Sequence, residues 1–74
     1  MKKKLTIKNN IRTLRFFASE MTQLDLAERA GVSRQTIIAL EAGRYSPSLE
    51  LAFRIAQVFA VPIGEVFECN PEEE

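Results

Sequence analysis

The feature that most constrains this chain of 74 residues is a pair of short helical patterns joined by a tight turn that contains one glycine. The first pattern begins after Thr22, a capping residue, and ends at Gly31, which tolerates the positive φ angle that stops a helix. The second begins after Ser33, which can also cap a helix. Ala27 lies where the helices would cross, and its small side chain lets the backbones approach at a steep angle. Two crossed helices are therefore predicted over about residues 22–43.

Helical spacing of apolar residues predicts three further helices. The first helix covers about residues 10–19, and its inner face consists of Ile11, Leu14, Phe17 and Ala18. The fourth helix begins at Pro47, with either Ser46 or Ser48 as its cap. Its inner stripe consists of Leu49, Ala52, Ile55, Ala56 and Phe59. A single helical turn is predicted after Pro62, with Ile63, Val66 and Phe67 facing inward.

Two short strands are predicted at the ends of the chain. Polar and apolar residues alternate over about residues 4–8, a pattern typical of a strand, and residues 67–70 can form a second strand. The length allows one domain, residues 1–74, with an acidic tail at residues 71–74. The predicted fold class is all-α, with five helices and a short antiparallel two-stranded sheet made from the N- and C-termini.

The composition excludes several classes of protein. The chain has no His, so it cannot contain a His general base, a catalytic triad that uses His, or a His metal site. Cys69 is the only cysteine, so an internal disulfide is impossible. No apolar run approaches the length of about 18 residues that spans a membrane, and no signal peptide is recognisable. We expect a soluble, cytoplasmic, non-enzymatic protein with no cofactor, metal, membrane partner or small-molecule ligand.

Positive and negative charges are separated along the sequence although they balance overall. Residues 1–45 contain nine Lys and Arg and four Asp and Glu, whereas residues 46–74 contain one and six. The basic part can attract a polyanion, and the acidic tail would face away from it. The alternative is that the terminal charges only keep the protein in solution.

A polar first turn in the second helix of the pair indicates nucleic-acid recognition. Its side chains are Ser33, Arg34, Gln35 and Thr36. In the major groove, Arg pairs with guanine, Gln pairs with adenine, and Ser or Thr bonds to either base. The sequence therefore predicts double-stranded DNA as the partner.

Most of the chain, from about Ile11 to Phe67, resembles the Cro and phage-repressor (XRE-like) type of helix-turn-helix transcriptional regulator. The hallmarks of that family read here as Thr22-Gln23, Leu26-Ala27, Gly31-Val32-Ser33, Gln35-Thr36-Ile37, Leu40-Glu41, Gly43-Arg44 and Pro47-Ser48-Leu49. The chain is particularly similar to small stand-alone members such as the enterococcal cytolysin repressor. That resemblance implies a phage-repressor-like DNA-binding domain and a homodimer in which the terminal strands pair beside the helices.

The resemblance also implies roles for individual residues in binding DNA. Gln23 would contact a phosphate, and Arg34, Gln35 and Ile38 would reach base edges. Thr36, Arg44 and Tyr45 match positions that usually touch the DNA backbone, and Ser33 completes the set. Each of four positions has a structural alternative. Gln23 can help to cap its helix, Thr36 can bond to its own backbone, Tyr45 can close the loop by packing, and Ile38 can be a scattered surface residue rather than a thymine-methyl contact.

Arg15 in the first helix and Glu41 in the third would form a structural ion pair, as the resemblance implies. Arg12 would face solvent and add a phosphate contact. The corner between the first two helices departs from the family pattern, because it is one residue longer and lacks the frequent Gly or Asn. The end of the first helix, and which of Phe16 and Phe17 is buried, therefore stay open.

Apolar residues left over from the monomer core indicate a dimer interface. They are Phe53, Val58, Ile63, Phe67 and Cys69, together with Leu5 or Ile7. The predicted function is that of a dimeric repressor that reads a palindromic operator through the major groove. Two alternatives are an antitoxin that binds a protein toxin, and a protein-binding module without DNA affinity.

Overall fold

A computed structural model describes residues 5–71 and confirms the predicted five helices and two-stranded sheet. In chain order the elements are β1 (Leu5–Asn9), α1 (Ile11–Phe17), α2 (Gln23–Ala30), α3 (Arg34–Glu41), α4 (Leu49–Phe59), α5 (Ile63–Val66) and β2 (Phe67–Pro71). The predicted start of β1 at residue 4 and the last three residues of the acidic tail lie outside the described residues. Within the described part of the chain, no helix has the length and apolar character needed to cross a membrane.

The paired helices begin and end at the predicted residues because side chains close to them in sequence satisfy their terminal backbone groups. Thr22 and Asp25 form a complete capping box at the start of α2, and Gly31 ends that helix at a φ of 78°. The Ser33 hydroxyl accepts the backbone N–H of Thr36 at the start of α3. These short-range bonds fix both boundaries of the three-residue turn between α2 and α3.

The start of α4 differs from the prediction by two residues. Ser48 is the cap, and its Oγ accepts the backbone N–H of Leu51 over 3.1 Å. The helix therefore begins at Leu49, and Pro47 precedes the cap instead of occupying the first helical position. Leu49 is 70% exposed, so its place in the predicted inner stripe was wrong.

The core lies where α2, α3 and α4 cross, and α1 and α5 each contribute one buried residue. Its largest fully buried side chains are Ile11, Leu26, Ile37, Leu40, Ile55 and Val66. The described residues contribute no buried polar or charged residue to this core. The apolar faces of the short helices thus meet in one cluster that fixes the orientation of α3.

The first helix ends earlier than predicted, and neither phenylalanine is buried. It ends at Phe17 instead of Ser19, and Phe16 and Phe17 are 62% and 77% exposed. At about 100° per residue, the two rings lie about 140° and 120° around the helix from Ile11, away from the core. Met21 beyond the corner is buried instead.

The corner between α1 and α2 contains two consecutive left-handed residues. Ser19 and Glu20 have φ angles of 59° and 57°, which residues other than Gly, Asn and Asp seldom adopt. The backbone N–H of Met21 donates to the Arg15 carbonyl over 2.9 Å, and this bond closes the loop. The corner thereby returns the chain to the start of α2 beside Arg15.

The terminal strands form an antiparallel ribbon joined to the helices by asparagines. Asn9 pairs with Phe67 at one end, and Leu5 pairs with Pro71 at the other. The strands run slightly farther than predicted, to Asn9 and Pro71. The Asn9 Nδ2 donates to the Leu40 carbonyl over 2.9 Å, and Asn9 Oδ1 accepts the Ile11 backbone N–H over 3.2 Å. The ribbon is therefore tied to the end of α3.

A single exposed residue after α4 offers a test of backbone strain. Ala60 ends that helix in the left-handed region at a φ of 58°. Replacing Ala60 with glycine is expected to raise the free energy of unfolding by about 0.5–1 kcal/mol, because the left-handed strain exceeds the entropy cost of glycine. Urea unfolding measures the change. Ala42→Gly is the control. Ala42 ends α3 at a φ of −80°, where glycine relieves no strain, so this variant is expected to be less stable.

Candidate nucleic-acid interface

The first turn of α3 presents polar side chains to solvent because its opposite side is anchored in the core. Arg34 and Gln35 are exposed, whereas Ile37 is fully buried and Leu40 is 2% exposed. The two exposed residues offer a guanidinium fork and an amide, which are suited to guanine and adenine edges respectively. The helix can therefore enter a groove without disturbing its packing.

Two of the predicted contact residues at this turn already bond to each other. Ser33 Oγ accepts the Thr36 backbone N–H over 3.2 Å, and the two side-chain hydroxyls lie 3.0 Å apart. Thr36 is half-buried. The Thr36 hydroxyl therefore bonds to the Ser33 side chain, whereas the alternative considered for Thr36 was a bond to its own backbone. One of the two hydroxyls donates within this pair, so the O–H of the other remains free to donate to a phosphate oxygen.

The effects of Ser33 on stability and on DNA binding can be distinguished by comparing it with the cap residue of another helix. Ser33→Ala and Ser48→Ala are each expected to lower the free energy of unfolding by about 1 kcal/mol, because each removes one cap bond. Ser33 adjoins Arg34 and Ser48 caps α4, so only the first change is expected to weaken DNA binding as well. Equal DNA affinities for the two variants would contradict a DNA contact at Ser33.

Gln23, for which a phosphate contact is predicted, forms an internal hydrogen bond in the structure. Gln23 is half-buried at the first position of α2, and its Nε2 donates to Glu41 Oε1 over 3.2 Å. It does not supply the cap, because Thr22 Oγ1 accepts the Asp25 backbone N–H over 2.9 Å. The bond to Glu41 could not be predicted from the sequence, because it joins residues on different helices and depends on how those helices pack.

Arg15 and Glu41 form the implied ion pair in bidentate form. Arg15 Nε lies 2.7 Å from Glu41 Oε2, and Arg15 Nη2 lies 3.0 Å from Oε1. The third guanidinium nitrogen, Nη1, donates to the Met21 carbonyl over 2.8 Å. The two side chains are only 16% and 12% exposed. The pair therefore joins α1 to α3 and also holds the left-handed corner.

An open polar cavity of about 500 Å³ lies beside this pair. It is lined by Arg12, Arg15, Glu20, Met21, Thr22, Gln23, Leu24, Arg34 and Glu41. The Glu41 charge is matched by Arg15, which leaves Arg12 and Arg34 against Glu20 in the lining. The balance is positive, which suits a phosphate group. Among the described residues, no three acidic or Cys side chains come together as a metal site requires.

The remaining predicted DNA contacts lie at the far end of α3 and in the loop after it. Ile38 is half-buried, and Arg44 and Tyr45 are exposed. Gly43 turns the chain out of the helix at a φ of 75°. Tyr45 also lines a small cleft with Leu40 and Pro47, so its ring has both a packed and an accessible side.

The predicted dimer-interface residues have unequal exposure. Phe53 is 49% exposed and Cys69 is exposed, whereas Val58, Ile63 and Phe67 are half-buried and pack against the core. A mainly apolar groove of about 320 Å³ is lined by Ile7, Ser46, Pro47, Leu49, Ala52, Ile63 and Phe67. Sequence reasoning missed Leu49 as a surface residue. Its spacing of four from Phe53 places both on one side of α4 and was the available signal.

Comparison with known proteins places the chain among transcription regulators. Residues 11–66 match the helix-turn-helix family HTH_3. An uncharacterized HTH-type transcriptional regulator of Methanocaldococcus jannaschii is 57% identical over 53 residues, which are 72% of this chain and 80% of the relative. YgzD of Bacillus subtilis, an uncharacterized HTH-type transcriptional regulator, is 41% identical over 66 residues, which cover 89% of this chain and 98% of the relative. The cryptic phage CTXphi transcriptional repressor RstR of Vibrio cholerae is 36% identical over 68 residues, which cover 88% of this chain and 60% of the relative. The chain belongs to the HTH_3 family of helix-turn-helix transcriptional regulators.

Proposed function

We propose that this regulator is a homodimeric repressor that occupies a palindromic operator and reads the major groove with α3. The observation that carries the proposal is the exposure of Arg34 and Gln35 on the first turn of a helix whose other side is buried. A relative that is named a phage transcriptional repressor supports the repressor role. The relatives come from archaea and bacteria, whose DNA lies in the cytoplasm, and we assign this regulator to that compartment.

The proposed contacts divide into base reading and backbone positioning. Arg34 and Gln35 read base edges, and Ile38 packs its exposed part against a thymine methyl. The backbone contacts are assigned to Gln23, Ser33, Thr36, Arg44 and Tyr45. Contacts of the second kind set the position of the protein on the duplex but carry no base preference.

A second copy of the chain is needed because one recognition helix reads too few base pairs to select one site in a genome. Two copies related by a twofold axis read half-sites about 34 Å apart. The exposed side of Phe53 and the neighbouring groove provide an apolar surface that a second copy can cover. Phe53, Val58, Ile63, Phe67 and Cys69 are therefore the proposed interface.

Selection from a random duplex library with the purified protein tests the DNA proposal. We expect two related half-sites in inverted orientation, with centres about 10 base pairs apart, and an affinity that falls steeply with salt. A protein without salt-dependent DNA binding would instead be a protein-binding module. A toxin that co-purifies from the source cells would favour the antitoxin alternative.

The interface proposal predicts the effect of a charge at Phe53. Phe53→Asp is expected to raise the dissociation constant of the dimer at least about tenfold, because it places a carboxylate in an apolar contact. Phe17→Asp is the control, since Phe17 is even more exposed but lies outside the proposed interface. Sedimentation equilibrium of the two variants gives the comparison. Equal dimerisation would move the interface away from Phe53.

A further inference from the structure

We infer that Glu41 is a positioning residue for the phosphate contact assigned to Gln23, an inference that rests on the proposed DNA-binding function. The Glu41 carboxylate accepts three hydrogen bonds from two other helices. Oε1 receives Gln23 Nε2 at 3.2 Å and Arg15 Nη2 at 3.0 Å, and Oε2 receives Arg15 Nε at 2.7 Å. At 12% exposure, this side chain is largely shielded from competing water.

The chemistry of the carboxylate fixes which end of the Gln23 amide faces it. An ionised carboxylate only accepts hydrogen bonds, so the amide must turn its NH₂ group towards Glu41 and its carbonyl oxygen away. One N–H of Nε2 is used in this bond, and the other remains for a further acceptor. Without Glu41, either end of the amide can face the cavity, because the two orientations have nearly the same shape.

The orientation matters because Gln23 lines the same cavity as Arg12 and Arg34. A phosphate held there by the Arg12 guanidinium needs a donor from Gln23, because an amide carbonyl oxygen facing it would repel it. Glu41 thus acts on DNA through Gln23, while the Arg15 pair keeps its carboxylate in place.

A positioning role for Glu41 and its charge have opposite effects on DNA affinity. Glu41 is a negative charge beside a polyanion, so removing its charge should by itself strengthen DNA binding. If Glu41 orients Gln23, removing it weakens binding instead. Glu20 is a matched reference, because it lines the same cavity and forms no hydrogen bond to Gln23 among the described residues.

The test is a double-mutant cycle of Glu41→Gln and Gln23→Ala on the duplex recovered by selection. Binding is measured at low temperature, with the folded fraction of each variant determined by circular dichroism and used to correct the affinity. We expect Glu41→Gln to weaken binding about fivefold in the wild-type background and less than about twofold when Gln23 is absent. Glu20→Gln is expected to leave affinity unchanged or to raise it.

The outcomes separate the inference from the proposed function. An equal loss in both backgrounds, or a gain like that of Glu20→Gln, would show that Glu41 does not act through Gln23. A purely structural role gives equal losses, because loss of stability does not depend on whether Gln23 can meet a phosphate. Failure of the wild-type protein to bind any duplex would refute the proposed function instead. If Glu41→Gln does not fold, Glu41→Asp replaces it in the cycle. Because Asp keeps the charge and only draws the carboxylate back, a loss that depends on Gln23 supports the inference, and an equal effect in both backgrounds refutes it.

Discussion

Replacing Arg15 with alanine is expected to lower the free energy of unfolding by about 3 kcal/mol, since it strands a shielded carboxylate. The loss lies near the lower end of what broken buried pairs show, because both partners retain slight contact with water. The change also removes the bond from Nη1 to the Met21 carbonyl, which holds the left-handed corner. A domain of this size has only about 3–5 kcal/mol in total, so the variant should retain about 0–2 kcal/mol and be partly unfolded at 37 °C.

Urea unfolding at about 10 °C, near the temperature of greatest stability, measures this loss. Arg12→Ala is the matched control, because Arg12 is exposed on the same helix and is expected to change stability by less than about 0.5 kcal/mol. The double variant Arg15→Ala with Glu41→Ala should be more stable than the sum of the two single losses predicts. A variant of Arg15 that keeps its melting temperature but loses DNA affinity would show that Arg15 serves DNA binding and not the fold.

The helix boundaries at the centre of this chain could be predicted from sequence because local chemistry sets them. Thr22 and Ser33 accept backbone N–H groups three residues ahead, and Gly31 adopts a positive φ at a position that requires one. None of these interactions depends on a distant part of the chain. The five helices and the terminal strands follow from the same kind of short-range pattern.

The errors occurred where a long-range arrangement decides the outcome. Phe17 and Leu49 are apolar and lie at nearly helical spacing from buried residues of their helices. Both are nevertheless exposed, because the core packs against another side of each helix. The sequence left the end of the first helix open, and the left-handed backbone at Ser19 and Glu20 was not predicted. The bond from Gln23 to Glu41 was not predicted because only the packing of α2 against α3 brings these side chains together.

Replacing Gln35 with alanine is expected to weaken binding to the selected operator by about 1–3 kcal/mol and to relax the preference at one base pair of each half-site. Gln35 is exposed, so the free energy of unfolding should change by less than about 0.5 kcal/mol. Gln57→Ala is the matched control, because Gln57 is also an exposed glutamine but lies on α4. Anisotropy of a labelled duplex gives the affinities, and a repeated selection gives the base preference.

The comparison with random DNA decides whether Gln35 reads a base. Since the side chain is uncharged, its loss should leave both binding to random duplex and the dependence on salt nearly unchanged. Arg44→Ala provides the contrast. Loss of a backbone contact should weaken binding to operator and random duplex alike and reduce the salt slope by about one. If Gln35→Ala lowers affinity equally for operator and random DNA, Gln35 contacts the backbone, and the reading of bases must then rest on Arg34 and Ile38.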